Sequence, residues 1–323
     1  MNHTETDWTY EPVRIPSATP LIFGLIAPVL LVGIFLNMVT CYGVFRIRVE
    51  SLLTRCLLLN ECLFDMLVCI LVFGTIIPCK SRSDSKEHDV FKCYVFRNAY
   101  LMTFTRMLMN FNIVCLACDR FWAIAYYSTY KQKRLMYLIV CYMIILVSSS
   151  IITIPNFFQV AFYDNTCVAT PERFTIHAQM MLNIVLAYIF PVCVVLSTGL
   201  WASHLLRKQN RATTHLNRDN SLSQCNRVQN TLSTATCGFC LVFMILTIIG
   251  TVMSTLSILK LMDFRFDSIL RMYFNCACGL ASSSIPVIQM CTIPSLRRWF
   301  VGSIKSIHAW FVSVLRQMKT NNL

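Results

Sequence analysis

Apolar positions along the chain fall into seven long runs, at approximately 20–45, 52–77, 94–120, 135–157, 177–204, 232–259 and 269–293, separated by short polar, largely basic segments. Each run is long enough to cross a hydrocarbon layer of about 30 Å as a helix, which takes roughly 20 residues. The pattern predicts an all-α membrane protein: a bundle of seven transmembrane helices over 20–293, with polar segment 1–19 before it and 294–323 after it. In 295–316, Leu296, Trp299, Phe300, Ile304, Ile307 and Phe311 recur at spacings of three and four, with Arg297, Arg298 and Lys305 between them. That spacing predicts an amphipathic helix lying in the membrane interface, against lipid.

Composition agrees with this reading. Hydrophobic residues make up 56% of the 323 and charged residues 13%, about half the charged share of a soluble domain. The formal net charge is +13. In a soluble chain this would suggest nucleic acid; here basic loops beside an anionic leaflet account for it, and no nucleic-acid partner is expected.

Lys and Arg also set the orientation. With segment 1–19 outside, 17 lie in the inner segments: three in 46–55, four in 120–134, five in 207–228 and five in 297–319. Eight lie in the outer segments, and Arg97, Arg106 and Arg271 fall within runs. The bias predicts an extracellular N-terminus at the plasma membrane. Asn2-His3-Thr4, a glycosylation sequon, agrees. Segment 1–19 has no apolar core of a signal peptide, so the first run is expected to act as an uncleaved insertion signal.

The chain has 17 cysteines, most of them inside apolar runs, where a thiol is a small buried hydrophobe. Cys79, Cys93 and Cys167 lie near run ends or in loops. The six histidines are scattered, and no HExxH, phosphate loop or paired zinc motif occurs. No enzyme, metal or cofactor is expected. Cys237 and Cys240, three apart on a membrane helix, read as packing.

Charges inside lipid are costly, so each demands a reason. The third run ends in Asp119-Arg120-Phe121, followed by Trp122-Ala123-Ile124 and later Tyr130. Here the chain resembles the class A (rhodopsin-like) G-protein-coupled receptors, whose third helix ends in Asp-Arg-Tyr. The likeness continues at Gly33 to Val39 around Asn37, at Asn60 and Asp65 five apart, at Pro191 with Tyr188 before it, at Pro286, and at Leu296-Arg297 opening an eighth helix. It covers about residues 20–300. Ile154-Pro155-Asn156-Phe157-Phe158 is similar to a segment of FMRFamide-type peptide receptors.

The departures are as informative. Phe239 to Ile258 contains neither Trp nor Pro, where the family has both in its sixth helix. The seventh has Ile285 and Gln289 where the family has Asn and Tyr, the fourth lacks its Trp, and Gly199 replaces a common Tyr of the fifth. These residues belong to the family's activation switch.

The resemblance implies several roles. Asp119, Arg120 and Phe121 would couple to a heterotrimeric G protein, with Arg120 paired to Asp119 at rest; alternatively Arg120 is a cation snorkelling to the interface. Asn37, Glu61, Asp65 and Arg106 would form an intramembrane polar core. The family binds sodium at the Asp65 position, but Ile285 and Met109 thin the surrounding polar set. Arg106 either neutralises Asp65 as a tethered cation or faces an outer cavity. Glu61, one turn from Asp65, either reaches Arg120 or is a protonated acid bonded to a neighbouring helix. Pro191 and Pro286 would kink their helices. Cys93 would bond to Cys167, with Cys79–Cys167 or free thiols as alternatives.

Arg97, Arg106, Arg271 and Asn275 are the ligand-binding candidates, and their charge suits an anionic group on an extracellular ligand, a peptide foremost. Each arginine could equally be an interface anchor. The expectation is a receptor that turns ligand binding into G-protein activation. A constitutive or non-signalling receptor-like protein, motivated by the lost switch, and a small transporter, which would show an internal repeat, are the alternatives.

Overall fold

The structure is a computed structural model that describes residues 20–47, 51–76, 86–91, 93–94, 100–157, 160–163, 166–169, 181, 184–214, 241–257, 259–264 and 268–321. Its elements in chain order are α1 (Pro20–Arg46), α2 (Leu52–Ile76), α3 (Lys86–Phe91), α4 (Tyr100–Ala125), α5 (Tyr127–Gln132), α6 (Arg134–Phe157), β1 (Val160–Tyr163), β2 (Thr166–Ala169), α7 (Phe190–Thr214), α8 (Leu241–Ser257), α9 (Ile269–Thr292) and α10 (Pro294–Asn321). The described residues of all seven apolar runs are largely helical. In hydrocarbon a helix satisfies its backbone groups internally, which is why long apolar runs take this form.

The helices pack as a membrane bundle. The third-run helix α4 is its axis, touching α2, α6 and α7, while α9 closes against α1 and α2. Leu57, Leu58, Phe111, Leu116, Ile145 and Ile285 form the main core. α6 turns Leu135, Ile139, Met143 and Ile151 outward, each about half exposed or more. Such residues are apolar all round the bundle because their solvent is lipid.

Two additions correct the purely helical outline. The connection after α6 carries an antiparallel hairpin, pairing Val160 with Ala169 and Phe162 with Cys167. Its two strands are too short to be read from periodicity. The short helix α3 is likewise unmarked by any apolar run. The third run was expected to be helical from 94; Cys93 and Tyr94 lie in π-helical geometry, and α4 is described from Tyr100. A π-turn takes up more residues than an α-turn.

The amphipathic segment is a helix, and it is longer than its periodicity marked. α10 runs to Asn321 and meets α9 at 96°. Ile293, before Pro294, is extended, as a residue preceding proline prefers, and Pro294 opens the new helix at its first position. Leu296 is fully buried and Trp299 packs edge-on against Tyr42 of α1 at 5.8 Å.

Candidate functional site

Three polar layers are stacked along α2 and α4. The first lies at the end of the bundle where α10 sits. Asp119 is fully buried and Arg120 about one-tenth exposed, and the two form an ion pair. Arg120 Nε donates to Asp119 Oδ2 at 3.1 Å, and Nη2 donates to the same oxygen and to Thr54 Oγ1. Thr54, on α2, donates in turn to Asp119 Oδ2 at 2.7 Å. Tyr130, on α5, donates its hydroxyl proton to Asp119 Oδ1 and lies 2.5 Å from Ser51 Oγ. Burial, and then the Asp119 charge, hold the Tyr130 proton well above the usual phenol range, so it remains a donor. Both Asp119 oxygens are thus satisfied, as a buried carboxylate requires.

Around this layer Phe121 packs edge-on against Trp201 of α7 at 5.7 Å, and Trp122 packs at a tilt of 38° on Tyr137 at 4.8 Å. The lock therefore ties α2, α4 and α5, with an aromatic contact to α7. The sequence marks Asp119, Arg120, Phe121 and Tyr130. It gives little sign of Thr54 and Ser51, since a hydroxyl at a helix start reads equally as a cap.

The second layer lies two helical turns further in, about 10 Å at the α-helical rise. Asn112 Nδ2 donates to Glu61 Oε2 at 2.7 Å and to the Leu57 carbonyl at 3.0 Å. Glu61 is fully buried. Of its two readings the geometry gives the bond to a neighbouring helix. Glu61 does not reach Arg120, because Arg120 extends into the layer of Asp119 and Thr54. Asn112 carried no mark in the sequence, since a lone Asn in an apolar run has no spacing signature.

Asp65 is one turn beyond Glu61 and also fully buried; it faces the Ser282 hydroxyl of α9, but neither of its oxygens makes a hydrogen bond of normal geometry. Arg106 makes no hydrogen bond to it. The guanidinium lies instead over the Phe274 ring of α9, 4.8 Å from its centroid.

The third layer joins α1, α2 and α9. Asn37 Nδ2 donates to Gly33 O at 3.0 Å and to Ser282 O of α9 at 3.2 Å. Ser282 is four residues before Pro286, so its carbonyl lacks the helical N–H that proline removes. Asn37 supplies the donor. Across the bundle Asn110 Nδ2 donates at 3.5 Å to Ala187 O, the carbonyl that Pro191 leaves over, and the chain there takes a π-helical turn, Ile184–Ile189. Gln289 is fully buried, its Oε1 accepting from the Cys62 thiol at 3.4 Å. Asn60 exchanges hydrogen bonds with Tyr142 of α6 at 2.9 and 3.1 Å.

At the opposite end, that of the hairpin, Arg271 lies 5.7 Å from the Phe264 centroid, and Phe264 meets Phe274 edge-on at 5.6 Å. Two cations thus share one aromatic pair, an arrangement stabilised by the ring quadrupoles. Asn275 is half-buried on α9. Arg97 and Asn2 lie outside the described residues. Cys93 is fully buried, disulfide-bonded, and packed against Tyr94 and Phe162. Cys167 is described in its backbone, opposite Phe162, while its side chain is outside the described part.

Residues 78–289, well over half of the chain, match the family model described as serpentine type 7TM GPCR receptor class ab chemoreceptor. No curated protein matches the chain.

Proposed function

The chain belongs to the serpentine class ab family of seven-helix chemoreceptors, a family of receptors rather than enzymes, and from that premise we propose that it converts binding of an external ligand into activation of a heterotrimeric G protein. The observation that carries this reading is the lock of Arg120, Asp119, Thr54 and Tyr130 at one end of the bundle. A guanidinium held by an internal carboxylate, beside helices that can separate, is a bistable element: a ligand that favours the separated arrangement frees the cation for a partner.

The orientation follows from the inner surplus of Lys and Arg. Segment 1–19, with Asn2 as a glycosylation acceptor, is extracellular at the plasma membrane; 20–293 is the bundle; 294–323, including α10, is cytoplasmic. Asp119, Arg120 and Phe121 then face the G protein, and the hairpin faces the ligand. Phe162 packs on Cys93 and pairs with Cys167, which supports a Cys93–Cys167 disulfide tying the hairpin to α4. The proposed ligand contacts are Arg106, Arg271 and Asn275 at that end, with Arg97 added from the sequence. The ligand is accordingly one with an anionic group, an acidic peptide or a small carboxylate.

The test is nucleotide exchange on G proteins in cells expressing the receptor, with Arg120→Ala matched for surface level. Exchange above the untransfected level that is lost in Arg120→Ala supports the reading. Equal exchange in both, or solute flux through the protein in liposomes without any exchange, overturns it. Screening acidic against neutral and basic ligands, with Arg106→Gln and Arg271→Gln, then tests the ligand class.

A further inference from the structure

The second polar layer is out of balance. Glu61 and Asp65 are two carboxyl groups one helical turn apart, both fully buried, and neither is hydrogen-bonded to a cation. Among the described residues, the buried groups left without partners are mostly acceptors: Glu61 Oε1, both Asp65 oxygens, Asn37 Oδ1 and Asn112 Oδ1, against Gln289 Nε2 and the Thr40 and Ser149 hydroxyls. The other groups that interact with the pair are, among the described residues, neutral. From α2 these are Cys62, which also interacts with the Cys41 thiol of α1, and Cys69; from α4 Asn112; from α9 Ser282 facing Asp65 and Gln289 accepting from Cys62. The nearest cations on α4 are placed elsewhere, Arg120 on Asp119 and Arg106 over Phe274.

Two ionised carboxylates in such a place would each bear a desolvation cost of several kcal/mol and repel each other. The bond to Asn112 points to the remedy. It uses Asn112 Nδ2 and Glu61 Oε2 and leaves Asn112 Oδ1 and Glu61 Oε1, two acceptors. A proton on Oε1 makes that oxygen the donor Asn112 Oδ1 lacks, and acid and amide then close a ring of two hydrogen bonds.

We propose that Glu61 is a proton-binding site of the closed bundle, kept neutral by Asn112 and by the unpaired Asp65 beside it, and that opening the α10 end releases this proton. The second half rests on the receptor reading above; the first does not. The direction follows from solvation. Separating the helices around the lock, two turns away, admits water to Glu61, water stabilises the carboxylate, and the proton leaves. Activation that releases a proton is favoured by rising pH on the α10 side, by up to about tenfold in the equilibrium per pH unit for one proton.

The experiment uses the full chain in nanodiscs. Infrared difference spectra across neutral pH should show the carbonyl stretch of a protonated carboxylic acid, shifted in D2O and lost in Glu61→Gln, which preserves the two-bond ring as an amide pair. Absence of that band in the wild type, or its persistence in Glu61→Gln, overturns the site. So does a sodium titration that removes the band's pH dependence, because a bound cation would then balance the carboxylates. Basal nucleotide exchange against pH tests the release. A several-fold rise per unit in the wild type and a flat profile in Glu61→Gln support it; equal slopes overturn it. Should exchange be insensitive to Arg120→Ala, the receptor reading falls while the infrared result still decides the proton.

Discussion

Gly33 has no room for a methyl group. A Cβ there would come within 2.2 Å of Ser283 Oγ and 2.9 Å of Ser283 Cα, so backbone as well as side chain would have to move. One turn along, the same α1–α9 contact holds the Asn37 bond to Ser282 O. Gly33→Ala should therefore push α1 from α9 and stretch that bond, destabilising the protein by roughly 1–3 kcal/mol. Gly24, with nothing within 4 Å of its Cβ, is the control; Gly24→Ala should be neutral or slightly stabilising, since alanine gains about 0.5–1 kcal/mol over glycine within a helix. Thermal unfolding in detergent measures both, and equal midpoints for the two variants would sink the argument. Gly43 is an intermediate case, its Cβ meeting only side-chain atoms of Leu296 and Trp299. Those can shift, so Gly43→Ala should loosen α10 more than it unfolds the bundle.

Among elements, one device appears twice. A proline deletes an N–H inside a helix, and an asparagine on a neighbouring helix takes the carbonyl left over: Asn37 for Pro286, Asn110 for Pro191. In lipid no water is at hand for an orphan carbonyl, so the asparagine is part of what makes the proline tolerable. Asn37→Ala should cost about 1 kcal/mol. In a Pro286→Ala background, where residue 286 regains an N–H for Ser282 O, the same change should cost distinctly less. A double-mutant cycle on unfolding midpoints reads this coupling, and strict additivity would refute it. Both prolines and Asn37 stand out in the sequence as single residues. Their pairing does not, because Asn37 and Ser282 are 245 positions apart and the period of an apolar run says which face is inward, not which atoms meet there. The same reason hid Asn112 behind Glu61 and left Arg106 open between Asp65 and the outer cavity. The helices themselves were legible because lipid imposes one length and one backbone solution on every span, whereas hairpin β1–β2 obeys no such rule.

For the whole molecule, the receptor reading proposed above makes the lock the element that sets how far the bundle rests from its open arrangement. The sixth-helix Trp and Pro and the seventh-helix Asn and Tyr of class A receptors, which the chain resembles in sequence, are missing here. Restraint must then come from other contacts, and the ones present at the α10 end converge on Asp119. Tyr130 reaches it from α5 and Thr54 from α2, so the carboxylate is held from two elements besides its own. Removing one such donor leaves the ion pair intact and weakens only the closed state. A hydrogen bond to a charged group contributes about 1.5 kcal/mol net, and a loss of that size multiplies the open population roughly tenfold. Tyr130→Phe and Thr54→Val should therefore each raise basal nucleotide exchange several-fold at matched surface level. Arg120→Ala, which removes the group offered to the partner, should abolish it in either background. Tyr130→Phe deserves the first measurement, because its ring can keep the contact with Tyr137 at 5.6 Å and only the hydroxyl is lost. If that variant signals at the wild-type level while Arg120→Ala is silent, Asp119 and Arg120 are a docking surface alone, and the bundle is held closed from somewhere other than this end.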